Sequence, residues 1–225
     1  MLLHIPQVLS KAEVAGLRAE LSAHDWVDGA RTSGAQAAQL KRNLQFPADS
    51  SAFAGLSQRV ADALARHPLF VSAALPRHML PPMFNCYRGG GQYGNHVDNA
   101  LQRDRFSGVQ VRTDVSTTVF LSEPEEYEGG ELIVEDTYGE HEVKLAAGDA
   151  IVYPSTSLHR VEPVTDGARI AAFLWTQSWV RDAWQRKMLF DLDMTILKLR
   201  GQLGDSEEVL SLTSTYHNLL RQWGE

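Results

Sequence analysis

The sequence predicts a mainly β, α+β protein: a double-stranded β-helix (jelly roll) core with N-terminal helices before it and a helical C-terminal extension after it. Three observations predict this class. Apolar residues recur at helical spacing up to about residue 77. Short β-type runs broken by turn residues then fill 78–177, as in a jelly roll. The helical period returns from residue 178. The corresponding regions are 1–77, a helical and strand support; 78–177, the jelly-roll domain; and 178–225, the extension.

Each element has its own cue. Residues 10–24 read as a helix: Ser10 with Glu13 makes a capping box, and Val14, Leu17 and Leu21 line one face. A loop rich in Gly, Ala, Gln and Ser follows at 29–39, then a strand at Leu40–Phe46. Residues 50–67 form a second helix through Phe53, Leu56, Val60 and Leu64, with Pro68 as its stop. The β-type runs are Pro82–Tyr87, His96–Asn99, Val115–Leu121, Glu131–Glu135, Glu142–Leu145, Ala150–Tyr153, His159–Val164 and Arg169–Trp175. Gly89-Gly90-Gly91, Gly129-Gly130, Tyr138-Gly139, Gly148-Asp149 and Asp166-Gly167 punctuate them. Val180, Trp184, Met188, Leu192, Ile196 and Leu199 form an apolar helical stripe ending at Gly201. A last helix, capped by Asp205 or Ser206, turns Leu212, Tyr216, Leu219 and Trp223 inward.

Composition excludes several functions. Twenty-one Lys+Arg against 28 Asp+Glu give a net charge of −7, and no basic cluster is dense enough for a nucleic-acid binder or a polybasic membrane anchor. No apolar run approaches the roughly 20 residues needed to span a bilayer. Cys86 is the sole cysteine, so no intrachain disulfide forms. The start, Met1-Leu2-Leu3-His4-Ile5-Pro6, lacks the pattern of a signal peptide, and a cytoplasmic location is expected.

The chemistry concentrates in four residues. His96-Val97-Asp98, read as strand, offers an imidazole and a carboxylate to one face. It follows a strand and the glycine-rich turn at Gly89–Gly91. Downstream, Gly148-Asp149 turns into a buried strand, His159 follows, and Arg169 lies ten residues beyond it. Two His and one Asp make the facial triad suited to Fe(II), with coordination positions left open. An Arg beside such a triad can clamp a carboxylate in bidentate geometry. A 2-oxo acid matches both demands.

This order of residues resembles Fe(II)/2-oxoglutarate-dependent dioxygenases of the prolyl-hydroxylase type over residues 78–177. Gly94–Asn99, Gly34–Gln39, the length and the helical extension resemble more closely the PKHD-type hydroxylases, over essentially the whole chain. The resemblance implies an enzyme that hydroxylates an unactivated C–H bond, consuming O2 and 2-oxoglutarate and producing succinate and CO2. It implies His96, Asp98 and His159 as Fe(II) ligands, Arg169 as the partner of the distal carboxylate of 2-oxoglutarate, and Tyr87 as an aromatic facing the cosubstrate. No catalytic residue beyond the metal centre is implied, and L-ascorbate is implied as the reductant that keeps iron ferrous. Where some prolyl hydroxylases place a cosubstrate-binding tyrosine this chain has Phe120, leaving Thr118 or Tyr87 as the second partner of that carboxylate. The prime substrate is a small molecule or a peptidyl group.

Other residues compete. His141 is the rival third ligand, and its plainer reading is a solvated hairpin residue. Cys86 reads as a small buried hydrophobe, and Glu123, Glu125, Glu126 and Glu128 as a solvated acidic turn. The Trp184–Leu199 stripe and the last helix offer a packing face or a homo-oligomer contact. The rival functions are a cupin-like metalloenzyme that uses no 2-oxo acid and a non-catalytic metabolite sensor.

Overall fold

Alternation at period two organises the centre of the molecule, and a computed structural model describes residues 1–29 and 40–225. The loop expected at 29–39 lies almost wholly outside the described residues, as does the Gly34–Gln39 motif. The strands are β1 (Leu3–Ile5), β2 (Val27–Asp28), β3 (Lys41–Arg42), β4 (Leu44–Gln45), β5 (Pro76–Met79), β6 (Met83–Arg88), β7 (Gly91–His96) and β8 (Leu101–Arg103). They continue with β9 (Gln110–Arg112), β10 (Val115–Phe120), β11 (Tyr127–Gly129), β12 (Leu132–Asp136), β13 (Gly139–Val143), β14 (Ala150–Pro154) and β15 (His159–Ser178). The helices are α1 (Lys11–Ser22), α2 (Phe53–Ala65), α3 (Pro68–Ala74), α4 (Ala183–Leu203) and α5 (Glu207–Trp223).

The strands form two facing antiparallel layers. The major layer runs β1-β14-β10-β15-β6-β4-β2. The minor layer holds β13, β12, β7 and β3 around the first part of β15. Strand β15 crosses both layers without a break, with register shifts between His159 and Val164. This corrects the expectation of two strands separated by a turn at Asp166-Gly167. Instead, Gly167 pairs with Tyr127 inside the ladder at a φ of +69°, and a Cβ there would lie 2.1 Å from the Glu126 carbonyl oxygen. Only glycine lets the strand bend there.

The major layer buries both faces. Val115 and Val119 on β10, Ala150 and Val152 on β14, and Ala172 and Leu174 on β15 join Leu17 of α1 and Leu56 of α2 in one core. Phe120, Ile151, Tyr153, Tyr87, Leu132 and Val161 fill the space between the two layers. The Ser10 capping box is present on α1. Glu123 pairs with Lys11, and Glu126 with Arg18 at 2.7 Å, so the acidic turn is clamped to α1 by ion pairs and is not merely solvated.

Four further expectations change. Pro68 is the first residue of α3, three residues beyond the end of α2 at Ala65, since its fixed φ suits the first helical position. The strand expected at Leu40–Phe46 is two pieces: Lys41–Arg42 pairs with β7 and Leu44–Gln45 with β6, so the chain changes layer at Asn43. Helix α4 runs through Gly201 and ends at Gly204. Its buried positions are Arg186, Leu189, Phe190 and Ile196, whereas Trp184 is 72% exposed and Met188 is also exposed. Ser206 caps α5, whose Tyr216, Leu219 and Trp223 pack on Val180, Leu189 and Leu75. No helix among the described residues is long and apolar enough to cross a membrane.

Candidate metal centre

The site begins where two strand ends meet. His96 closes β7 and His159 opens β15, and the two are cross-strand partners with ring centroids 4.1 Å apart. His96 Nδ1 lies 2.8 Å from the Gly94 carbonyl oxygen and His159 Nδ1 lies 3.0 Å from that of Ser157. A carbonyl only accepts, so both Nδ1 atoms carry the proton and both Nε2 atoms present a lone pair. That tautomer is the one a metal needs. Burial, reinforced by the neighbouring His159, pulls the His96 imidazole down to about 4, which keeps it neutral.

Asp98 arrives differently from expectation. It lies beyond the end of β7, so the pleat does not place it beside His96. Hydrogen bonding holds it instead. Its Oδ2 accepts from Ser116 Oγ at 2.6 Å, and its Oδ1 lies 3.9 Å from His159 Nε2. With the Ser116 proton committed to Asp98, Ser155 Oγ donates to Ser116 Oγ at 2.7 Å. One ligand atom each from His96, Asp98 and His159 lies within 4.8 Å of the others. His141 is elsewhere, on β13, 2.9 Å from Asp136.

Arg169 occupies the other end of the same interior. It is 1% exposed, and its guanidinium lies 5.1 Å from the Phe120 ring centre and 5.5 Å from that of Tyr87, its cross-strand neighbour. Its Nε has no hydrogen-bond partner, and among the described residues it has no carboxylate at salt-bridge distance. Stranding a buried cation costs several kcal/mol, a cost that an anion bound here would relieve. The Tyr127 hydroxyl is also unpartnered, and its pKa is raised by burial and opposed by Arg169. Gly130 (φ +70°) leaves room for the arginine stem, since a Cβ there would sit 3.2 Å from Arg169 Cδ.

A cavity of about 280 Å³ joins the two ends, lined among others by His96, Asp98, His159, Tyr153, Tyr87 and Arg169. The donor set of two imidazole nitrogens and one carboxylate oxygen fits Fe(II), and the unpaired guanidinium fits a dicarboxylate. Tyr87 is fully buried and its phenol is pushed up to about 12 by burial. Tyr153 stands between the ends. Its pKa is well above the ordinary value, chiefly from burial and Asp98, with Thr118 and Arg169 acting the other way.

Sequence reasoning missed Ser116, Ser155, Tyr127 and Tyr153. Ser116 had a signal: with Thr117 and Thr118 it is one of three polar residues in Val115–Phe120, a strand buried at every position. Polar groups on a buried face need partners.

Fold and site together define a jelly-roll oxygenase class, and comparison with known proteins agrees. Residues 82–177 match the 2OG-Fe(II) oxygenase superfamily, and residues 183–225 match the PKHD-type hydroxylase C-terminal domain. A PKHD-type hydroxylase of Hyphomonas neptunium is 65% identical over 225 residues, covering all of both chains. One from Stenotrophomonas maltophilia is 58% identical, also over both full lengths. Among solved structures, a Pseudomonas putida prolyl-4-hydroxylase superposes with a TM-score of 0.55 at 20% identity, covering 78% of this chain and 92% of that one. HygX of Streptomyces hygroscopicus, solved with nickel and 2-oxoglutarate, gives 0.56 at 20% identity, covering 80% and 84%. The chain belongs to the PKHD-type hydroxylases, within the 2OG-Fe(II) oxygenase superfamily. It is an Fe(II)- and 2-oxoglutarate-dependent hydroxylase.

Proposed function

We propose that Nε2 of His96, Nε2 of His159 and a carboxylate oxygen of Asp98 hold the iron, and that Arg169 receives the distal carboxylate of 2-oxoglutarate. The observation that carries this reading is the unpaired, fully buried guanidinium across one cavity from three converging ligand atoms. Bound there, iron and 2-oxoglutarate supply an oxidation that consumes O2, releases succinate and CO2, and leaves a hydroxyl on a C–H carbon of the prime substrate.

The protein's own residues set the frame for that chemistry. The Gly94 and Ser157 carbonyls fix the imidazole tautomers, and Ser116 fixes the carboxylate rotamer. Phe120 and Tyr87 wall Arg169 from water, which strengthens its pairing with an anion. Tyr87, Thr118 and Tyr153 line the passage and orient the cosubstrate. Ascorbate serves as the external reductant in this reading.

The test is anaerobic titration of the protein with Fe(II) and then 2-oxoglutarate, followed by succinate measurement in air. His159→Ala should abolish tight Fe(II) binding and succinate release, while His141→Ala should leave both intact. The reverse pattern would reject His159 as a ligand. Tight metal binding with no affinity for 2-oxoglutarate would favour a cupin-like metalloenzyme.

A further inference from the structure

The mouth of the cavity is built for negative charge, although the chain as a whole is acidic, at −7. Lys41, Arg103, Arg105 and Arg169 line the cavity, and Asp98 is the only carboxylate among the residues that do. A ferrous ion and a 2-oxoglutarate dianion cancel each other, so loading the site leaves that positive excess in place. Arg169 is spoken for by the reading above; the other three are not.

Lys41 is the best placed of them. It pairs with Tyr93 across β3 and β7, and its Nζ lies 5.6 Å from the Tyr93 ring centre. The Tyr93 ring in turn stacks on His96, with centroids 3.6 Å apart and planes 19° from parallel. One aromatic ring therefore separates the ammonium from a metal ligand. Lys41 donates to Gln45 Oε1 at 3.1 Å but meets no carboxylate at salt-bridge distance among the described residues. Burial, opposed by the more distant Asp28, draws its ammonium down to about 8, so it is still mostly charged at neutral pH. Arg105 rests on the Phe53 ring at 4.9 Å, its terminal nitrogen lies 3.6 Å from the Met83 sulfur, and among the described residues it meets no carboxylate at salt-bridge distance, although Asp104 acts on it from farther off. Asp28 and Asp104 act on these two cations only through longer-range fields, so an anionic ligand between them would supply the close partner that part-buried Lys41 lacks.

We propose that the prime substrate presents an acid group, a carboxylate or a phosphate, which Lys41 binds with help from Arg105, holding the neighbouring C–H carbon over the metal. The inference rests on the assignment of His96, Asp98 and His159 as the metal site. It makes Lys41 a specificity-determining residue: a substrate that is neutral or cationic at that end loses its anchor.

The experiment uses Mn(II), which accepts the same kind of donor set and is paramagnetic. Protein loaded with Mn(II) and saturating 2-oxoglutarate is titrated with inorganic phosphate, read by 31P relaxation, and separately with acetate, read by methyl-proton relaxation. Saturating 2-oxoglutarate keeps the probes off Arg169. The expected result is metal-dependent relaxation of at least one probe, and whichever binds tighter identifies the acid. Lys41→Gln should weaken that probe about tenfold, and Arg105→Gln by a smaller factor. Lys187→Gln, which removes a lysine paired with Asp191 on α4, should change nothing. Each variant's Mn(II) and 2-oxoglutarate affinity is measured in the same samples. If these stay normal while neither probe relaxes, or while Lys41→Gln and Arg105→Gln bind the probe like wild type, the anion site is refuted. Failure of the wild-type protein to bind Mn(II) or 2-oxoglutarate would instead overturn the proposed function, and this inference with it.

Discussion

The two faces of the major sheet are cut from the same strands and serve opposite ends. On the helix side, Val115, Val119, Val152, Ala172 and Phe84 are all buried and apolar, and each contributes to packing against α1 and α2. On the inner side, the alternate residues of those strands include Ser116, Thr118, Tyr153, Tyr87 and Arg169, equally buried but polar. The inner face keeps an unpaired guanidinium and an unpartnered phenol, whereas among the described residues the outer face leaves only small neutral hydroxyls, such as those of Thr117 and Thr176, without a partner. Period-two alternation lets one strand carry both duties, so stability and function separate by residue parity. Substitutions on one face should act on folding and those on the other on ligands.

Arg169→Ala gives the largest effect on the inner face. Loss of a charge-assisted bidentate partner in a desolvated pocket is worth about 2–5 kcal/mol. Affinity of the iron-loaded protein for 2-oxoglutarate should fall roughly 30-fold or more. Lys should restore only part of it, because an ammonium lacks the planar fork. The ligand-free protein should keep or gain stability, since the variant no longer buries an unpaired cation. A lower melting temperature together with unchanged 2-oxoglutarate affinity would erase the distinction between the faces. Phe84→Ala is the outer-face counterpart. It should cost about 3–5 kcal/mol in urea unfolding, with Fe(II) affinity of the folded protein unchanged.

How far the sequence shows this division depends on how locally each feature is encoded. The jelly roll and its flanking helices were legible because alternation and turn residues mark each strand. His96, Asp98, His159 and Arg169 were legible as residue types in order. The union of His159–Val164 with Arg169–Trp175 was not, because Asp166-Gly167 looks like a turn and its pairing with Glu128 and Tyr127, remote in sequence, keeps it in the sheet. The geometry of Asp98 was hidden for a similar reason: its position depends on Ser116 and Ser155, which are remote in sequence. The outer stripe of α4 misled because periodicity finds an apolar face without showing what covers it, and Trp184 stays exposed.

Ser116→Ala sharpens the comparison at a single position, since its neighbours Val115 and Thr117 face the other way. Removing a hydrogen-bond partner of a metal ligand costs about 10- to 100-fold in metal affinity. Fe(II) titration should show that loss, and Ser116→Thr, which keeps the hydroxyl, should recover part of it. Ser155→Ala should have a weaker effect because it acts through Ser116. A purely structural role would give equal losses for Ala and Thr.

The smallest effect is one of pH, and it belongs to the inner face alone. His96 titrates at about 4 in the folded chain, because burial and His159 disfavour its charged form, against about 6.5 for an unfolded histidine. Between those values the unfolded chain binds the extra proton and the folded chain does not. Stability should therefore be fully present above about pH 6.5 and fall as pH drops toward 4. The carboxylates held below their ordinary values by hydrogen bonds, such as Asp104 and Glu13, do not imitate the effect at the upper end of that window. Calorimetry of the metal-free protein from pH 7 to pH 5 should show a falling melting temperature, and His96→Gln should flatten the slope. A wild type that melts at the same temperature throughout, or a variant with an unchanged slope, would remove His96 as the neutral buried imidazole. Phe84→Ala, with no ionisable group altered, should melt lower at every pH while keeping the wild-type slope.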